Sequence, residues 1–185
     1  MSNTATIEAI VPVGVWSADA VHSSLTFELT FAGVNTFRGG FRDFSATVTG
    51  GDLATIEGSA AVASVDVKDE QLNGHLQTPD FFDAARHPTL SFRATSLRRL
   101  GEDRVEGTGD LTIKGVTQPV EFAGVVAAAP SVDPFGRERL GLRLETTFDR
   151  TQFGVSWNAP NQGGGDYLGN DVKVVAELAL VKQED

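Results

Sequence analysis

The chain has 185 residues, enough for one domain whose core needs neither metal nor disulfide. It has no cysteine, which excludes disulfide scaffolds, thiol nucleophiles, zinc–cysteine sites and redox-active pairs. Twenty-five acidic residues against fifteen basic ones give a net charge of −10, a surface that repels phosphate backbones and argues against nucleic acid as a partner.

Residues 1–15 have no basic start, an apolar stretch interrupted by Glu8 and Pro12, and no cleavage site. They read as an unexported N-terminal segment, with the cytoplasm as the expected location. A single domain is expected over residues 16–182. No stretch approaches the roughly 18 apolar residues of a membrane span; the longest candidate, residues 120–130, is short and contains Glu121.

Twenty glycines, twelve phenylalanines and one methionine, with short Val/Thr/Phe/Ile runs between glycines, point to an all-β domain. From Ser23 the chain alternates, with Leu25, Phe27, Leu29 and Phe31 on one face. Gly33 and Asn35 punctuate it. A second strand is expected over residues 40–49, with Phe44, Ala46 and Val48 sharing a face, and Gly50-Gly51-Asp52 turns the chain. A third, residues 55–67, carries the small residues Gly58, Ala60, Ala61, Ala63 and Ser64, which leave room beside them. Residues 69–77 read as a helix capped by Asp69, with Leu72 and Leu76 on one face. A short turn at 81–86 ends before Pro88. Strands resume at 89–97, 105–113, 120–128, 140–148 and 172–181. A glycine-rich loop at 158–170 is too long for a tight hairpin. About eight antiparallel strands can close into a barrel whose interior holds side chains or one small ligand.

Catalytic and metal chemistry finds little support. His22, His75 and His87 share no ligand spacing; His22 reads as a turn residue, and His75 and His87 as surface residues of the helical insert. No Gly-x-Ser-x-Gly elbow is present, and His22 and Ser23 point to opposite faces of a strand. Asp66, Asp69 and Glu70, like Asp166 and Asp171, read as solvated loop charge. Gly163-Gly164-Gly165-Asp166 lacks the lysine and following helix of a phosphate cradle. The aromatic residues are the informative set. They fit either an ordinary packed core or an apolar ligand cavity, and alternation alone does not separate the two.

Six phrases occur together in one order. Trp16-Ser17-Ala18-Asp19, His22-Ser23 and Phe27 resemble the opening of the YceI-like family of polyisoprenoid-binding proteins. Phe37-x-Gly39-x-Phe41-x-x-Phe44 resembles its second strand. Residues 73–83, NGHLQTPDFFD, are similar to its Asp-x-His-Leu-x-x-x-Asp-Phe-Phe-Asp, with Asn73 where Asp is usual. His87-Pro88-Thr89-Leu90-Ser91-Phe92, residues 109–120 (GDLTIKGVTQPV) and Arg150-Thr151-Gln152-Phe153-Gly154 resemble three further family phrases.

The resemblance implies a lipocalin-like barrel with an apolar channel for an isoprenoid tail, that of a polyprenyl or quinone-type lipid. It implies binding, storage or transport without catalysis or cofactor, and a homodimer. Many relatives are exported, whereas this chain shows no signal peptide. The insert at 69–86 is then expected at one mouth, with Leu76, Phe81 and Phe82 turned inward. With strand alternation, this gives an expected lining of Phe27, Leu29, Phe41, Leu76, Phe81, Phe82, Phe92, Leu111 and Trp157. His22, Arg42 and Arg150 are the expected polar partners of a head group. The rival reading is a structural or interaction module whose barrel is filled by side chains. An enzyme acting on an apolar substrate would need a base with an oriented partner, and the sequence offers no clear pair.

Overall fold

The alternation read above builds strands that pair in sequence order until the last meets the first. The computed structural model describes residues 9–184. Its strands are β1 (Gly14–Ala18), β2 (Ser24–Phe31), β3 (Asn35–Phe41), β4 (Phe44–Gly50), β5 (Thr55–Ala61), β6 (Val65–Asp66), β7 (Thr89–Leu100), β8 (Arg104–Ile113), β9 (Val116–Val126), β10 (Ser131–Val132), β11 (Glu138–Asp149) and β12 (Asp171–Lys182). One short helix, α1 (Glu70–Leu76), lies between β6 and β7.

Six of these segments are halves of three long, bent strands. β1 and β2 run end to end along one edge of β12. β4 and β3 pair with them in turn, and β5 and β6 with β4 and β3. The ring continues through β7, β8, β9 and β11, and the β11–β12 ladder, from Arg139↔Val181 to Asp149↔Asp171, closes it. The result is a closed, antiparallel, eight-stranded up-and-down barrel.

The bends correct the expected single strands at 40–49 and 55–67. Phe41 and Phe44 are three residues apart and cannot share a face of a regular strand. The chain kinks at Arg42-Asp43, and both rings turn inward. The neighbouring strand kinks with it through a 3₁₀ turn at Val62–Ser64: Arg42 N–H donates to Ser64 O (3.1 Å) and Ala61 N–H to Asp43 O (2.9 Å). Between β8 and β9, Lys114 (φ 51°) and Gly115 (φ 75°) form a two-residue turn with both residues left-handed, the twist that suits a tight hairpin. The His87 ring lies against Gly115, where a Cβ would come within 2.6 Å of it.

The inward residues form two clusters. One holds Trp16, Val48, Ile56, Val105, Leu140 and Leu180, joined by Ile10 and Val11 from ahead of the expected domain boundary at residue 16. The chain reaches them by crossing this end of the barrel: Trp16 Nε1 donates to Pro12 O (3.0 Å) and Gly51 N to Val11 O (3.1 Å). Residues 1–8 of the expected N-terminal segment lie outside the described residues. The other cluster gathers Phe27, Phe41, Leu76, Phe81 and Phe153 at the opposite end. No helix of the described residues is long and apolar enough to cross a membrane.

Candidate ligand-binding cavity

The second cluster surrounds space. A cavity of about 520 Å³ runs from the open end of the barrel down to Ala46, Ile56, Phe122 and Leu178 of the packed cluster. That volume lies within the usual range of small-molecule sites. Gly58 and Ala60 of β5 border it, as the small residues of that strand suggested, whereas Ala61, Ala63 and Ser64 do not.

All nine expected apolar residues line this one space: Phe27, Leu29, Phe41, Leu76, Phe81, Phe82, Phe92, Leu111 and Trp157. Their rings touch in series. Phe41 lies 5.8 Å from Phe27 and 5.8 Å from Phe82, and Phe81 lies 5.3 Å from Trp157, between ring centres. Phe92 packs on Phe122 at 5.6 Å, where the hollow and packed halves meet.

Two segments cover the mouth. In the insert, Asp69 accepts from Leu72 N (2.8 Å) and caps α1, which buries Leu76. Asn73, the departure from the family phrase, accepts from Val67 N through its amide oxygen (2.8 Å), a role that needs an acceptor but no charge. The other segment begins at a 3₁₀ turn, Arg150–Phe153, capped by Asp149, and continues through the 158–170 loop. Hydrogen bonds from the Thr151 hydroxyl and amide hold the Asp149 carboxyl below its ordinary pKa. The loop is tied rather than loose: Asn158 donates to Leu168 O (2.8 Å) and accepts from Leu168 N (2.9 Å), and Tyr167 stacks on Phe31. Lys114 joins the two covers by donating to Pro79 O (2.6 Å) and Gly154 O (3.1 Å).

The three expected polar residues part company. His22 is exposed on the far side of the β1–β2 bend, with Nδ1 2.8 Å from Asp19. Arg42 is exposed in the β3–β4 kink and bonded to Asp66 at 2.9 Å, so neither lines the cavity. Both sit in bends, where the alternation that assigns faces breaks down. Arg150 does line it and is only 5% exposed. Its Nε donates to Gly169 O (2.9 Å), and its Nη1 to Val155 O (2.8 Å) and Trp157 O (2.9 Å). It thereby holds both ends of the loop and seats Trp157. Burial lowers its pKa from the ordinary arginine value, against the opposing pull of Asp149 and Asp166.

Sequence reasoning missed His75. Expected on the surface of the insert, it lines the cavity instead, 4.9 Å from the Trp157 ring and 5.1 Å from Phe81, with Nε2 2.9 Å from Asp80. Its neighbours Leu76 and Phe81 were the available signal. Tyr167 and Leu168 of the loop were also missed. Among the described residues, no group of three or more His, Asp or Glu is placed to hold a metal.

A closed eight-stranded barrel with an apolar, aromatic-walled cavity defines a binding-type β-barrel. The chain belongs to the YceI-like family, whose domain pattern matches residues 16–180. A UPF0312 protein of Staphylococcus aureus strain N315 is 34% identical over 167 residues, 85% of this chain and 92% of its own length. Among solved structures, Burkholderia cenocepacia BcnA superposes with a TM-score of 0.73 at 23% identity, covering 90% of this chain and 99% of its own. A polyisoprenoid binding domain from Saccharophagus degradans superposes at 0.68 with 15% identity, covering 91% of this chain and 98% of its own. At these identities the two structures establish the shared fold.

Proposed function

We propose that this protein binds one isoprenoid-type lipid in the barrel cavity and serves as a carrier or store for it, without catalysis. The cavity carries the reading. On a scale of about 24 cal/mol per Å³ for cavities opened in protein cores, leaving such a volume dry and empty forgoes on the order of 10 kcal/mol, comparable with a domain's whole net stability. A barrel filled by its own side chains would have no such space. The walls suit a hydrocarbon chain, since each buried CH₂ contributes about 0.8 kcal/mol and needs no polar partner. The space reaches from the mouth to the packed floor, and the Saccharophagus domain of the same fold is a polyisoprenoid binding domain.

The test is native mass spectrometry of the purified protein, followed by organic extraction. A discrete bound mass with isoprenoid fragments is expected. A bare protein mass that stays bare after incubation with prenyl lipids overturns the reading. Phe92→Asp places a carboxylate in the wall, where its desolvation is uncompensated. It is expected to weaken prenyl-lipid binding at least a hundredfold in a protein that still folds, while Glu102→Ala on the exposed β7–β8 turn leaves binding unchanged.

A further inference from the structure

We propose that the cavity is polarised, with His75 at the mouth accepting a hydrogen bond from an uncharged hydroxyl or amide head while the tail runs towards the packed end. The inference rests on the lipid-binding reading above and adds the head-group class and its recognition residue.

Four lining side chains with polar atoms come from the two covers: His75, Arg150, Trp157 and Tyr167, of which the Trp157 indole can only donate. The floor residues Ala46, Ile56, Phe122 and Leu178 offer a head group nothing, and the polar strand residues beside them pair on the surface, Ser45 with Ser59, Glu57 with Arg93 and Glu145 with Arg143 and Lys173. Arg150 is the one cationic residue among the described lining residues. Its Nε and Nη1 are engaged by three backbone carbonyls, and its Nη2 is fully buried without a partner, out of a ligand's reach. An anionic head would therefore meet no available guanidinium, and it would lie beside the Asp80 carboxylate that bonds His75.

His75 differs in having one nitrogen fixed and one left over. Asp80 is acceptor-only when ionised, so Nε2 carries the proton it donates across 2.9 Å. In the Nε2–H tautomer Nδ1 is an acceptor, and among the described residues it makes no hydrogen bond. The ring cannot swing away, because Phe81 and Trp157 both meet it edge to face. Its side chain is one-third exposed, so it stands at the border between the apolar interior and water. An acceptor so placed is satisfied by an O–H or N–H at the end of a chain lying in the cavity. An ether or hydrocarbon end would leave it desolvated and unpaired.

The test compares farnesol, farnesyl methyl ether and farnesyl diphosphate by calorimetric titration of the full-length protein. Wild type is expected to bind the alcohol about three- to tenfold more tightly than the ether, the value of one hydrogen bond. His75→Phe keeps a ring against Trp157 and is expected to abolish that ratio, because the alcohol loses its acceptor and the ether no longer strands one. Asp80→Asn, acting through the ring's orientation, is expected to shrink it, and Tyr167→Phe to preserve it. Equal binding of alcohol and ether by wild type overturns the inference without needing any variant. So does a ratio retained in His75→Phe, a ratio lost in Tyr167→Phe, or a preference for the diphosphate. Failure of wild type to bind any of the three overturns the lipid-binding reading itself.

Discussion

The two ends of the barrel share strands and alternation but differ in what meets inside. At the packed end, branched residues such as Val48, Ile56, Val105 and Leu180 close on Trp16, which is fully buried, and residues 9–13 cross the opening with Ile10 and Val11 beneath them. At the other end the inward residues include Phe27, Phe41, Phe81 and Phe153, individually larger, yet the space stays open. The difference lies in the covers. The packed end receives side chains from outside the ring that descend into it. The open end receives the 69–86 insert and the 150–170 segment, which bring Leu76, Phe81 and Trp157 to the cavity. One end therefore supplies stability, and the other volume.

The largest predicted effect tests that division directly. Trp16→Ala removes a side chain packed on all sides and is expected to cost about 3–5 kcal/mol. Phe27→Ala removes a ring with cavity on one side, which already lacks partners there, and is expected to cost about 2 kcal/mol in the ligand-free protein. Urea denaturation of both variants decides the point. Equal losses would mean that the two ends do not differ in packing.

The sequence makes the ring legible, because strict alternation marks one buried face per strand. The register of Phe27, Phe92 and Leu111 followed directly, and the paired leucines of α1 placed the insert. Its failures fall where alternation stops. β1 is short, and β3 contains Gly39-Gly40, which offers no side chain to place. His22 and Arg42 lie in bends, where a residue's face depends on the neighbouring strand's kink. His75 lies on a helix of seven residues, too short for its period to separate an inward position from an outward one. Hollow versus solid was illegible for a different reason: alternation assigns direction, whereas volume depends on how far apart the walls stand and on what descends between them.

Glycines sharpen the comparison at the scale of one methyl group. Gly107 of β8 pairs with Leu97, one step from the β7 irregularity at Ala94/Ser96, and a Cβ there would lie 2.1 Å from Ser96 O and 2.7 Å from the Phe122 ring. Gly107→Ala is expected to cost about 1–3 kcal/mol through overpacking. Gly58 borders the cavity, and its Cβ would meet nothing closer than Ser45 O at 3.4 Å. Gly58→Ala is expected to stabilise the ligand-free protein by about 0.4–1 kcal/mol, through the lost freedom of the unfolded chain. Opposite signs in thermal melts of the two variants would match a solid end and a hollow one. The same sign would place the difference elsewhere.

The smallest effect concerns charge beside the packed end. Arg139 at the start of β11 donates to Asp133 (2.6 Å) and Asp19 (3.0 Å), joining the β10–β11 hairpin to the β1–β2 bend. The Arg139 guanidinium holds the Asp133 carboxyl well below the ordinary value of 3.8, and His22 and Arg139 hold Asp19 down likewise. A carboxyl whose pKa is depressed by folding contributes stability that is complete above the unfolded value and is lost as pH falls through the folded one. Asp133→Asn removes that contribution. Wild type is therefore expected to exceed the variant in urea midpoint by a constant margin above about pH 5, one that narrows below about pH 4 and is still narrowing at about pH 2. Added salt should shrink the margin at neutral pH, because the pair is partly open to solvent. A margin that is flat down to pH 2 would show that Asp133 acts through the turn hydrogen bonds it accepts from Phe135 N and Arg137 N, which the amide oxygen of asparagine cannot fully replace, rather than through its charge.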